Sequence, residues 1–321
     1  MLESKNASSK IIFSHTFKRW LYAAKPASWP KILVPFFLGH AMGAYQSGTV
    51  NWAVLLFTFL AVIAGVVFIV YMNDWGDQRV DKIKRDMFPD GCSPKTIPDN
   101  ILTAKQLLAG GIAAGILGFV GVVVAGFFVA NAEKAFYFGA ICCFTFIVYT
   151  LPPIKLNYRG GGEILEMLGV GVFLPLFMAL LQSGVLITEK LYAILLPFAL
   201  LALSSAIASG LSDEKSDIAG GKNTFVTRFG NKLARRFIEA LVPISVLLAL
   251  LLAKLGYAPF PASVLGLVQL LVIYFYLKMR KVSKLAVSNA FKHQKVYKLY
   301  LHQAIWWSAT ITACMLFISI Y

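Results

Sequence analysis

The feature that most constrains this chain is the apolar run from Trp52 to Met72, followed at once by Asn73-Asp74-Trp75-Gly76-Asp77-Gln78-Arg79-Val80-Asp81. A run of this length crosses a hydrocarbon slab about 30 Å thick as a helix. A single segment has no other choice there, because lipid cannot solvate unpaired N–H and C=O groups. Similar runs recur along the chain, and 58% of its 321 residues are hydrophobic against 14% charged. With a mean hydropathy of +0.71, a soluble domain of this length is excluded. The expected fold is all-α, a polytopic membrane protein with about nine spans near residues 31–46, 52–72, 106–130, 135–151, 163–182, 191–209, 237–254, 262–278 and 300–320. Gly111, Gly115, Gly118, Gly121 and Gly126 in the third run are expected to let helices approach closely, as small residues do in lipid.

The basic residues orient the spans. Of the 30 Lys and Arg, 27 fall in the N-terminal segment or in the loops after the second, fourth, sixth and eighth runs. That asymmetry puts the N-terminus and those loops in the cytoplasm, with the C-terminus outside. It also accounts for the formal net charge of +15 without nucleic-acid binding. Residues 1–30 are expected to be a cytoplasmic segment with an interfacial helix over Ile11–Ala24, broken by Lys25-Pro26 and Trp29-Pro30; residues 31–321 form the transmembrane domain. No cleavable signal peptide is evident. The four cysteines and four histidines are scattered, without metal or redox spacing,. The basic run Lys278–Lys298 suits anionic lipid at the membrane surface.

The acidic residues carry the chemistry. Asn73, Asp77 and Asp81 are four apart, so a continuous helix stacks them on one face. Asp213 and Asp217 repeat that spacing after the apolar run Leu191–Ala208. Both clusters fall on the cytoplasmic side, and the two together hold or adjoin most of the chain's acids. Crowded carboxylates need a positive partner. Mg²⁺ suits them, because it takes oxygen ligands and shares its shell with substrate phosphate. The metal set is therefore Asn73, Asp77, Asp81, Asp213 and Asp217, and the four aspartates are the catalytic set. Lys95, Lys155, Arg159 and Lys222 lie in the same loops and can hold the remaining phosphate charge. Tyr149 sits near a helix end with its hydroxyl in reach. Asp74 lies about 100° from the face of Asp77 on a helix, so it supports the shell or binds a basic loop residue.

These motifs resemble those of the UbiA superfamily of intramembrane prenyltransferases. The carriers are Asn73-Asp-x-x-Asp77-x-x-x-Asp81, Asp213-x-x-x-Asp217, the segment Tyr149-Thr-Leu-Pro-Pro-Ile-Lys155-Leu-Asn-Tyr-Arg159-Gly-Gly-Gly-Glu163, and Gly221-Lys222-Asn223-Thr224 with Arg228-Phe-Gly230. The last two are most similar to the 1,4-dihydroxy-2-naphthoate prenyltransferases. Ser209-Gly210-Leu211-Ser212 departs from the Asn-Asn-x-Arg run of those enzymes. The resemblance implies nine helices around a central cavity under a cytoplasmic cap. It also implies a Mg²⁺-dependent transfer of an isoprenyl group from a polyprenyl diphosphate to an aromatic quinone precursor in the inner (plasma) membrane.

Two other readings remain at this stage. One is transfer to a non-aromatic acceptor, a lipid head group or phosphosugar. The other is a secondary transporter, which calls for ionisable groups or broken helices at mid-membrane and inverted repeats; here the acids sit at one membrane edge.

Overall fold

The computed structural model describes residues 16–150 and 153–321. Residues 1–15, which include His15 and the start of the expected interfacial helix, and Leu151-Pro152 lie outside the described residues. The described chain is helical, with a single isolated parallel bridge between Arg159 and Asn223. Helix α1 is Thr16–Ala23 and α2 is Pro30–Ser47; α3 is Trp52–Gly76, α4 Gln78–Met87, α5 Ala104–Gly126 and α6 Ala132–Thr150. After the short α7, Leu156–Arg159, come α8, Gly162–Ser183, and α9, Glu189–Gly210. The chain closes with α10 Glu214–Ala219, α11 Phe225–Lys254, α12 Ala262–Ser283 and α13 Phe291–Ile318.

Among the described residues, eight helices are long and apolar enough to cross a membrane: α3, α5, α6, α8, α9, α11, α12 and α13. The remaining expected span, the first, is α2, which is helical and buried through its middle. Lys31, His40 and its polar end keep it out of that class on composition. It packs between α8 and α13, so most of its surface is covered by protein. The starts of two helices differ most from expectation. The seventh run begins at Phe225 rather than 237, kinked at Gly230 (φ 78°, ψ 157°), and the ninth begins at Phe291 rather than 300. Both extra stretches are basic and amphipathic, so they continue the helices beyond the apolar length that hydropathy detects.

Local chemistry sets the ends. The Asn51 side chain accepts from the Val54 amide at 3.1 Å and starts α3. Thr103 and Gln106 form a reciprocal capping box at α5, with bonds of 3.2 and 3.0 Å, satisfying donors that a helix start leaves orphaned. Glu163 accepts from the Phe225 amide at 2.6 Å and so ties the start of α8 to the start of α11.

Helix α3 packs along α5 and α9 along α11. As the glycine stripe implies, a Cβ on Gly121 would lie 2.9 Å from that of Ala61. The contact between α2 and α8 is tighter still: a Cβ on Gly39 would lie 2.4 Å from the Pro175 carbonyl oxygen, and one on Gly43 2.5 Å from that of Ala179. Helix α1 lies against this bundle rather than apart from it. Trp20 meets Tyr71 at 5.6 Å between ring centroids, and the Tyr71 hydroxyl donates to the Trp20 carbonyl at 3.1 Å.

Gly39→Ala and Gly43→Ala should each cost about 1–3 kcal/mol by overpacking and lower the melting temperature of the purified protein. Gly65→Ala, with open space around its Cβ, should hold or raise it. Melting temperatures unchanged in the first two variants would mean that α2 and α8 are not in this close contact.

Candidate active site

The first motif does not lie on one straight helix. Helix α3 ends at Gly76, Asp77 adopts φ −100°, ψ 6°, and α4 starts at Gln78. The hydrogen-bond spacing nevertheless continues through the bend, from the Asp77 amide to the Asn73 carbonyl and from the Asp81 amide to the Asp77 carbonyl, both at 2.8 Å. The chain thus turns off the bundle while keeping its one-turn rhythm. The second motif repeats this geometry. Asp213 precedes α10, and the Asp217 amide donates to the Asp213 carbonyl at 2.7 Å. Helices α4 and α10 pack together, so the two motifs share one end of the bundle.

Lysines interleave the carboxylates. Lys222 pairs with Asp77 at 3.2 Å, Lys95 with Asp81 at 2.5 Å, and Lys84 with Asp213. Among the described residues no three carboxylates, histidines or cysteines converge where they could hold one metal ion. Carboxylates and lysines form an alternating array instead. A low-dielectric edge favours that arrangement, because adjacent bare carboxylates repel strongly. The donor set still fits a hard cation that shares its shell with phosphate: it is entirely oxygen, and the buried Asn73 Oδ1 has no hydrogen-bond partner.

The loops bring a second layer to Asp77. The Tyr158 hydroxyl donates to Asp77 at 2.7 Å, and Lys155 Nζ donates to the Gly76 carbonyl at 3.1 Å. Lys155 Nζ also stands 3.7 Å from the Tyr158 ring centroid, with Lys222 at 5.1 Å on the same ring, a cation–π arrangement. The Asn223 amide donates to the Tyr158 carbonyl at 2.8 Å, which ties the two loops beside Lys222.

These neighbours set the protonation. Burial raises the Asp217 carboxyl to about 7 against the pull of Lys222. Burial also raises Asp81, although Lys95 opposes it. Asp213 goes the other way: burial acts to raise it, but Lys84 and Lys95 hold it below the usual carboxylate range. Burial, then the Asp77 carboxylate, raises the Tyr158 phenol and keeps it a donor.

Three sequence-predicted residues stand elsewhere. Asp74 is buried and turned from the array; its carboxylate takes Lys25 Nζ at 2.5 Å and the Thr96 hydroxyl at 2.6 Å. It binds the basic segment and the cap loop, one of the two roles its offset on the helix implies, and among the described residues its carboxylate touches no group of the array. Tyr149 points its hydroxyl to Glu166 at 3.5 Å, not to either motif. Arg159 is exposed and in no ion pair among the described residues; its backbone bridges to Asn223. Lys84 and Tyr158 were missed. Lys84 lies three residues after Asp81, one turn on, and that spacing was a usable signal. Tyr158 lies inside the quoted loop segment but carries no signal of its own.

The UbiA prenyltransferase family matches residues 32–300. Among curated relatives, the 1,4-dihydroxy-2-naphthoate octaprenyltransferase of Mycobacterium leprae is 27% identical over 237 residues, 71% of this chain and 74% of that one. The Haemophilus influenzae enzyme of the same name is 26% identical over 250 residues, 74% of this chain and 78% of that one. Among solved structures, a UbiA homolog from Archaeoglobus fulgidus bound to DMAPP and Mg²⁺ has a TM-score of 0.63 at 18% identity, covering 89% of this chain and 97% of that one. The bundle is thus a known fold, with two acidic motifs meeting at one end of it. This chain belongs to the UbiA prenyltransferase family and is a multi-pass membrane prenyltransferase.

Proposed function

We propose that this enzyme moves a prenyl group from an allylic polyprenyl diphosphate to a naphthoate-type aromatic quinone precursor, with Mg²⁺ at Asn73, Asp77, Asp81, Asp213 and Asp217. One observation carries the reading: the carboxylates of the two motifs alternate with Lys84, Lys95 and Lys222 at one end of an apolar bundle. The names of the curated relatives support the acceptor class.

Bound Mg²⁺ supplies the charge neutralisation that lets carboxylates hold a diphosphate and eases its departure. The chain's own groups do the rest. Lys95, Lys222 and Lys155 take phosphate oxygens, and the Tyr158 hydroxyl donates at the same edge. Breaking the allylic C–O bond releases diphosphate into this basic rim, and the apolar bundle keeps water from the carbocation. The electron-rich ring then forms the new C–C bond and loses a proton. The isoprenoid tail lies in the lipid-facing apolar part of the bundle. A furrow of ≈ 540 Å³ between α3 and α5, lined by Phe57, Leu60, Ala64, Leu117 and Val120, offers room on that flank, away from the carboxylates. The charge asymmetry of the loops supports a cytoplasmic active site in the inner membrane.

The test is a product assay in detergent with allylic diphosphates of several lengths and dihydroxynaphthoate, 4-hydroxybenzoate or homogentisate. A prenylated naphthoate product should form and should vanish with EDTA. Asp77→Asn and Asp213→Asn should each lower kcat/KM by about a hundredfold or more, as for a lost charge contact made in the transition state. Product only with a lipid or phosphosugar acceptor would overturn the quinone reading and keep the diphosphate site.

Asp74→Asn should behave differently. It weakens the hold on Lys25 and Thr96, so the segment 88–103 should become easier to cleave in limited proteolysis, while more activity remains than in Asp77→Asn. Activity as low as that of Asp77→Asn, with unchanged proteolysis, would return Asp74 to the metal or substrate shell.

A further inference from the structure

A second polar cluster sits on the other side of Asp213. Ser205, Ser209 and Ser212 follow one another at four- and three-residue spacing, one stripe down the cytoplasmic end of α9 and just past it,. Each meets a basic side chain from another helix. Lys31 of α2 donates to Ser209 Oγ at 3.2 Å, Lys298 of α13 donates to Ser212 Oγ at 2.9 Å, and His302 Nε2 is 3.1 Å from Ser205 Oγ. Lys298 and His302 are four apart and share a face of α13. His302 stacks on Trp306, with centroids 4.9 Å apart and planes at 19°.

The charges do not cancel. Lys31 is paired with Glu166. Lys298 has no carboxylate within ion-pair distance among the described residues, and its Nζ has only the Ser212 hydroxyl. An ammonium half-buried at a membrane edge without a counter-ion is expensive. The nearest carboxylate acting on Lys298 is Asp213, which is already in contact with Lys84; the cluster therefore carries an ammonium without a carboxylate of its own, hydroxyl and imidazole groups that can bond an oxyanion, and a flat aromatic wall.

We infer that Lys298, with His302, Lys31 and the Ser205–Ser209–Ser212 stripe, is a binding site for the carboxylate of an aromatic acid acceptor. One unit of charge matches a monocarboxylate, whereas a diphosphate needs the lysine-rich array around Asp77 and Asp81. Trp306 and the His302 ring provide a face for the acceptor's rings. Held there, the acceptor lies beside Asp213, at the border of the proposed diphosphate site. The inference rests on the aromatic acceptor reading given above, and it deepens that reading by naming what recognises the acceptor.

The test reads binding without turnover, so it is separable from the prenyl-transfer assay. The full-length protein in detergent is titrated with 1-hydroxy-2-naphthoate and with its neutral amide, 1-hydroxy-2-naphthamide. The wild type should bind the acid about tenfold or more tightly, the scale of one charge-assisted contact. Lys298→Met should remove that preference by weakening the acid and sparing the amide; Lys298→Arg should keep it. Melting temperature and Mg²⁺-dependent binding of an allylic diphosphate should stay at wild-type values in both variants. Equal wild-type affinity for acid and amide would overturn the site, and so would a Lys298→Met variant that keeps the preference. Loss of diphosphate binding in place of acid binding would assign the cluster to the donor and equally overturn it. If Lys298→Met does not fold, His302→Gln and the wild-type comparison decide. Tight acid binding with no prenylated product from any aromatic acid would count against the transfer reading and leave this site standing.

Discussion

Carboxylates crowded at the edge of a low-dielectric slab must be neutralised, and much of the cytoplasmic end of this protein follows from that requirement. The Lys84–Asp213 contact links positions 129 residues apart in the chain, and Lys222–Asp77 links positions 145 apart. Each joins one acidic motif to the segment that carries the other. The first holds α4 against α10; the second brings the loop after α10 back to the end of α3. Because α3 and α9 are long apolar helices that lead into these motifs, the pairing also brings the ends of two otherwise separate helix pairs, α3 with α5 and α9 with α11, to one place.

The cap is built outward from the same point. Asp74, one residue from Asn73, holds Lys25 and Thr96, and Arg85 holds Asp99 at 2.9 Å. The Asp99 carboxylate in turn accepts the Lys95 amide at 2.5 Å. Lys95 is thereby presented to Asp81 by a loop fixed at three points. An apolar cluster anchors this loop at Ile97 and Leu102, while the placement of Lys95 depends on charges that a bound diphosphate would also engage. Burial pushes Asp81 and Asp217 up while lysines hold Asp213 down. The site therefore has both readily and reluctantly ionised carboxylates on two adjacent short helices.

Much of this was legible in the sequence, and the limits have physical causes. Bilayer length and hydropathy reveal α3, α5, α6, α8, α9 and α12 because lipid permits little else. They misjudge the start of α11 and α13, whose first turns are amphipathic and lie at or beyond the membrane edge. Four-residue spacing reveals Asn73, Asp77, Asp81, Asp213 and Asp217 as two clusters, since hydrogen bonding keeps that rhythm even through the bend at Asp77. It cannot reveal which lysine meets which carboxylate, because pairing across more than a hundred residues is a tertiary fact. Asp74 shows the intermediate case: its angular offset on a helix pointed to a basic loop partner, and Lys25 and Thr96 are what it meets.

Where a charge goes unpaired is more informative than where it is paired. Most of the buried ions at this end have an opposite partner in the chain, as structural ion pairs do. Among the described residues Lys298 has only a hydroxyl, and Asn73 Oδ1 has no hydrogen-bond partner. A membrane protein gains no stability from leaving such groups unsatisfied, since their desolvation is not offset. Both lie at the cytoplasmic end of the bundle, one lacking an anion and the other a cation or donor. A reaction that joins an anionic ring acid to a metal-held diphosphate needs one deficit of each sign, side by side.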